Sequence, residues 1–172
     1  MKVLVVPYDP AWPREFESEA SRIAEALKNV ASAVHHIGST SIPGSPAKPI
    51  IDMLVEVTDL PSLERRTVAI ERLGYEAMGE FGIPYRRYFR KNNAAGIRTH
   101  QIHAFESGSD GAIRHLAFRD YMIAHPLAAQ AYGELKQSLA CQNLDSIEAY
   151  MEGKDAFVKQ HEALALAWRR TR

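Results

Sequence analysis

Alternation of apolar and polar positions is clearest in Ile50-Ile51-Asp52-Met53-Leu54-Val55-Glu56-Val57, which follows Pro49. A period of two puts Ile51, Met53, Val55 and Val57 on one strand face and Ile50, Asp52, Leu54 and Glu56 on the other. The first face is wholly apolar and belongs to a core; the second carries two carboxylates on a half-open surface. Upstream, Trp12, Phe16, Ala20, Ile23, Leu27 and Val30 recur at intervals of three and four, the single stripe of an amphipathic helix. Asp9 suits its cap and Pro10 its first helical position. Val3–Val6 reads as a short strand or an extended arm, and Ala33–Ile37 as a strand broken by Gly38. Pro61-Ser62 opens a helix that runs from Leu63 to Leu73 and stops at Gly74. Short strands are expected over Tyr75–Met78, Tyr85–Arg90 and Arg98–Phe105, with Asn92-Asn93 and Gly96 turning between the last two. The last third reads as helices over Ala112–Ala124, Pro126–Ala140 and Asp145 to about Arg169. In the last of these, Asp145 and Glu148 have capping-box spacing, and Ile147, Tyr150, Phe157 and Leu164 lie near one stripe. Interleaved elements followed by segregated helices predict an α/β (α+β) fold: a mixed β-sheet with helices packed over it and a helical C-terminal third.

Composition narrows the setting. The 172 residues suit one domain over the whole chain, and 46% apolar with 24% charged residues is ordinary globular usage. Twenty-one basic residues balance twenty-one acidic ones, so there is no strong nucleic-acid signal and no general attraction to an anionic membrane. Cys141 is the sole cysteine, which excludes an intrachain disulfide and fits a reducing compartment. The run after Met1-Lys2 ends at Pro7, too short for a signal peptide, and no segment approaches the roughly 18 apolar residues of a membrane span. A cytoplasmic protein is expected.

The unusual chemistry lies between His36 and Asp52. His36-Ile37-Gly38-Ser39-Thr40-Ser41-Ile42-Pro43-Gly44-Ser45-Pro46-Ala47-Lys48-Pro49 combines two glycines for tight turns, three prolines for stiffness, four hydroxyls and a cation. Exposed N–H groups, the hydroxyls of Ser39, Thr40 and Ser41, and Lys48 would suit a phosphate. The plain structural alternative is a rigid turn with capping serines. Gly38-Ser39 at a strand end, then twelve residues, then Asp52 on an apolar strand is similar to the signature of the DNA polymerase β-like nucleotidyltransferases. In that superfamily the Gly-Ser loop holds a nucleoside triphosphate, and carboxylates at alternate strand positions, about 7 Å apart, hold divalent metal.

The fuller string from His36 to Gly44, with Ala47-Lys48-Pro49-Ile50-Ile51-Asp52, resembles the GrpB family. Tyr8-Asp9-Pro10-Ala11-Trp12, Arg87-Tyr88-Phe89 with Lys91, His100-Gln101-Ile102-His103, His115-Leu116, Phe118-Arg119-Asp120-Tyr121 and His125-Pro126 extend the resemblance over nearly the whole chain. The resemblance implies a nucleotidyltransferase-like fold, and similar domains occur fused to dephospho-coenzyme A kinase. It implies nucleotide or phosphate binding by Gly38, Ser39, Thr40, Ser41 and Lys48, with Asp52 holding a divalent metal (Mg2+ or a transition metal).

One position departs from the superfamily. The second carboxylate falls at Leu54, and Glu56 lies about 13 Å along the strand from Asp52, too far to share an ion. His100 and His103 are three apart and face opposite sides, so His103 is the one expected beside Asp52, as metal ligand and catalytic group, with His115 on a later helix as a further ligand. Arg87 is the expected phosphate contact from the basic group Arg86, Arg87, Arg90, Lys91 and Arg98, whose alternation separates Arg86 and Arg90 from Arg87. Three functions follow: metal-dependent nucleotidyl transfer from a nucleoside triphosphate to a small acceptor, a catalytically inactive nucleotide- or anion-binding module, or a metal-dependent phosphohydrolase. Each takes a small-molecule or nucleotide ligand.

Overall fold

The computed structural model describes residues 3–143 and 145–172; Met1-Lys2, which head the N-terminal apolar run, lie outside them. Helix α1 spans Trp12–Ala26. The Asp9 carboxylate accepts the Ala11 N–H at 2.9 Å, and the proline in the first helical turn is Pro13 rather than Pro10. The apolar stripe outlasts the helix. Leu27 and Val30 are buried, but Asn29 adopts φ +70, so a tight turn rather than a further helical turn delivers them to the core.

Strands β1 (Ala31–Ile37) and β2 (Ile51–Val57) pair antiparallel. The helix expected from Pro61 to Leu73 is two short ones, α2 (Leu60–Glu64) and α3 (Thr67–Glu71). Asp59 caps α2 by accepting the Ser62 N–H at 2.7 Å, and Thr67 Oγ1 donates to the Glu64 carbonyl at 2.8 Å. That side-chain bond competes with the helical ladder and breaks it. Strands β3 (Tyr75–Ala77), β4 (Arg87–Asn92) and β5 (Arg98–Glu106) follow. Strand β4 starts two residues later than expected because Tyr85 sits at φ +64, outside strand geometry.

The sheet order is β1-β2-β5-β4-β3, with β2 and β5 parallel and the other neighbours antiparallel. On one face Ile51, Met53, Val55 and Val57 are at most 2% exposed and pack with Phe89, Ile102, Trp12, Ile23, Leu63 and Ile70 under α1 to α3. At about 1.5–3 kcal/mol per fully buried apolar side chain, this face dominates the fold's stability.

Helices α4 (Asp110–Ala124), α5 (Pro126–Gln142) and α6 (Ile147–Arg170) pack on one another, and α4 lies over the other sheet face. There Ile37, Leu54 and Phe105 meet Ala112. Helix α6 begins two residues after Asp145; its cap is Ser146, whose hydroxyl accepts the Ala149 N–H at 3.1 Å. Leu164 is exposed, and Ala165 takes its place in the packing. The N-terminal segment is an arm: Val6 and Ala47 exchange two backbone hydrogen bonds, and Val3 packs with Leu139, Ala140 and Tyr150. Among the described residues no helix is long and apolar enough to cross a membrane.

Candidate functional site

Register assigns each candidate side chain that stands on a strand to a sheet face. Asp52 pairs with Ile37 on β1 and with Gln101 on β5, Leu54 with His103 on β5, and His103 with Tyr88 on β4. Paired residues share a face, so Asp52 and His103 point toward α4 to α6. His100 points the other way, as its spacing requires. Arg87 also points away: it pairs with Ala104 and donates to Glu64 at 2.8 Å. The structure therefore does not bring Arg87 to Asp52; the basic residues of that group on the Asp52 side are Arg86, beside His103, Arg90, which pairs with Gln101, and Arg98, which donates to the Tyr88 hydroxyl.

The turn after β1 closes on Asp52. Gly38 has φ +72, and a Cβ there would lie 2.8 Å from Asp52 Oδ2, so both the backbone conformation and the close approach require glycine. Ser39–Ser41 form a single 3-10 turn. Two of its hydroxyls are committed within the fold. Thr40 Oγ1 donates to the Ile50 carbonyl and bonds His36 Nε2 at 2.9 Å, while Ser41 Oγ donates to the Gly38 carbonyl. Ser39 lines the cleft together with Tyr132.

Asp52 Oδ1 lies 3.2 Å from His103 Nε2, and Arg86 NH1 lies 3.3 Å from His103 Nδ1. A guanidinium can only donate, so Nδ1 accepts and Nε2 carries the proton donated to Asp52. Arg86 is itself 7% exposed and tied to the carbonyls of Glu80 and Phe81. His115 is adjacent, its ring centroid 5.5 Å from that of His103. Its buried Nε2 has no partner among the described residues, and burial, with His103 and Arg114 nearby, pushes its pKa down to about 3. It is neutral at physiological pH.

The expected metal set is not assembled. Among the described residues no three His, Cys, Asp or Glu side chains stand close enough to hold an ion. Both His103 nitrogens are engaged. Leu54 is fully buried against Ile37, Phe105 and Ala112, where a carboxylate would be desolvated without a partner. Glu56 bonds His35 at 2.8 Å. Asp52 is a lone carboxylate, and its donor environment does not fit the two-ion arrangement of the superfamily.

Lysines converge instead. The cleft, about 330 Å³, is bounded by Gly38, Ser39, Asp52 and His103 on the sheet side and by Tyr132, Lys136, Tyr150 and Lys154 on α5 and α6, with Lys48 at its edge. Lys136 is 1% exposed; its Nζ donates to the Pro46 carbonyl at 2.7 Å and lies 4.5 Å from the Tyr132 ring centroid. Lys48 and Lys154 each place Nζ 5.4 Å from the Tyr150 ring centroid. Burial first, then repulsion among the three, pushes Lys136 down to about 7 and Lys154 to about 8. Burial also lowers Lys48, against the pull of Asp52.

Residues 2–163 match the family described as GrpB protein. The chain belongs to the GrpB family. It is 43% identical over 171 residues to the UPF0157 protein YqkA of Bacillus subtilis, covering 99% of this chain but 49% of that protein, so it spans about half of that relative's length. The crystal structure of the conserved protein GrpB from Enterococcus faecalis superposes with a TM-score of 0.91 at 45% identity, covering 96% of this chain and 99% of that one. The fold is also that of nucleotidyltransferases: the Cid1 poly(U) polymerase with MgGTP bound aligns at TM-score 0.52 and 13% identity, over 86% of this chain and 50% of Cid1.

In this GrpB-family chain the sequence pattern misses Lys136 and Lys154. Both leave a trace. Tyr132, Lys136, Leu139 and Ala140 fall at helical spacing on α5, and Tyr150 with Lys154 on α6. A lysine inside an apolar stripe is a charge carried into a packed layer, and it needs either a partner or a ligand.

Proposed function

We propose that the cleft binds a nucleotide or a closely related phosphate ester through the Gly38–Ser39 turn and the lysines facing it. The observation that carries this reading is charge. Among the described residues none of Lys48, Lys136 and Lys154 has a carboxylate within ion-pair distance. The other acids lining the cleft are turned to outside partners, Asp155 to Lys159 at 2.9 Å and Glu162 to Arg114 at 4.0 Å. Asp52 is left as the single counter-charge, so the cleft carries an excess of positive charge suited to a multiply charged anion. Its volume falls at the lower end of the range of about 300–1,000 Å³ for small-molecule sites.

Buried Leu54 favours recognition over two-metal nucleotidyl transfer. A transfer reading draws on one specific feature: His103 holds Asp52 by one oxygen, which orients the carboxylate to accept a proton from an acceptor hydroxyl. The test has two arms. Thermal shift and calorimetry against nucleoside mono-, di- and triphosphates should reveal a ligand; pyrophosphate release from a bound triphosphate, with candidate acceptors present, separates transfer from binding. No shift with any phosphate ester would end the proposal.

A further inference from the structure

We propose that Lys48, Lys136 and Lys154 hold the ligand's phosphates directly, so that binding needs no divalent cation. The inference rests on the phosphate-ligand reading above and concerns how that ligand's charge is met. In a site built on paired carboxylates, the protein is locally negative and a phosphate can enter only with metal between the two sets of oxygens. Here the second carboxylate is replaced by Leu54, packed into the core at 0% exposure. The remaining one, Asp52, already accepts from His103. Three ammonium groups line the same cleft, contributed by separate elements: Lys48 from the loop before β2, Lys136 from α5 and Lys154 from α6.

The lysines are held in place for this. Lys136 is anchored by the Pro46 carbonyl at 2.7 Å, and α5 approaches that loop so closely that a Cβ on Gly133 would meet Pro46 Cδ at 3.0 Å. Lys48 and Lys154 both lie 5.4 Å from the centroid of the same ring, Tyr150, which is 1% exposed. The aromatic ring favours the two cations near it electrostatically and fixes where they stand. A polyphosphate entering between the Gly38–Ser39 turn and α6 would exchange water for charge-assisted hydrogen bonds from preplaced ammonium groups. The chemistry recognised is a chain or cluster of phosphates. A nucleoside triphosphate and a simpler polyphosphate share it.

Calorimetry at about pH 6.5, below the values to which burial lowers Lys136 and Lys154, decides the matter with ATP, pyrophosphate and inorganic phosphate as probes, each in EDTA and in Mg2+. ATP should bind in EDTA at least as tightly as in Mg2+, because chelated Mg2+ removes charge that the lysines would meet. Pyrophosphate binding as well as ATP supports the same proposal and limits the ligand to its phosphates. Lys154→Gln and Lys48→Gln, at half-buried positions that tolerate the change, should each weaken ATP by at least about ten-fold. Asp52→Asn should bind as tightly as the native protein or tighter, since it removes the one charge that repels phosphate while Asn can still accept from His103. Binding only in Mg2+, loss of binding in Asp52→Asn, or unchanged affinity in both lysine variants overturns the inference while leaving a phosphate-ligand site in place. No binding of any probe by the folded protein, with or without metal, overturns the functional reading itself.

Discussion

Lys136→Met tests the electrostatics of the cleft without any ligand. Lys136 is 1% exposed, and its pKa is pushed from the usual 10.5 down to about 7, chiefly by burial. Below pH 7 the ammonium is charged in folded and unfolded chains alike, and the full cost of burying it is present. Between about pH 7 and 10.5 the folded chain releases the proton and the unfolded chain keeps it. Stability contributed by this group therefore rises with pH across that window, by at most about 1.4 kcal/mol per pH unit and with a ceiling of about 5 kcal/mol. Methionine matches the length of the stem and carries no charge, but it leaves the Pro46 carbonyl without its donor, a cost of about 1–3 kcal/mol that does not depend on pH. The offset and the slope are thus separable. Urea unfolding at pH 6, 7, 8 and 9 should show native stability rising relative to Lys136→Met by roughly 1 kcal/mol per unit above pH 7. Below pH 7 the variant should lose least, or be the more stable of the two. Parallel pH profiles would refute the reasoning, because they would mean that Lys136 is not charged at a cost in the folded protein.

Three further outcomes follow from the geometry. Gly38→Ala forces a Cβ to 2.8 Å from Asp52 Oδ2 at φ +72, so thermal unfolding should show a loss of about 2–3 kcal/mol, together with lost ligand binding. Leu54→Asp restores the superfamily's alternate carboxylate on paper but buries it against Ile37, Phe105 and Ala112. It should destabilise by on the order of 3 kcal/mol or more, and titration with Mn2+ should show no new site; tight Mn2+ binding by a folded variant would contradict this. Arg87→Ala removes a partly exposed pair with Glu64 on the far side of the sheet and should cost less than about 1 kcal/mol, with ligand affinity unchanged by calorimetry.

Local patterning determined a great deal. The period of two in Ile50–Val57 identified an inner strand, its core face and the face carrying Asp52, because side-chain alternation is a property of the extended backbone alone. The same logic separated His100 from His103 and Arg86 from Arg87 before their neighbours were known. Gly38 beside Asp52 was legible as a tight turn, although the contact that demands glycine belongs to two strands paired in one register. What patterning could not settle depended on competition. The helix expected through Leu73 is cut by a hydrogen bond from Thr67, and Val30 reaches the core through a left-handed Asn29 rather than a helical turn; both alternatives bury the same apolar residues. The character of the cleft was decided by tertiary structure alone. Lys48 stood out beside the Gly38–Ser39 turn, but Lys136 and Lys154 lie on later helices, and the three become one site only because α5 and α6 close over the cleft. Arg87 looked eligible until the register of β4 turned it away. Packing decides which charges share a desolvated space, and desolvation, more than residue identity, gives those charges their chemistry.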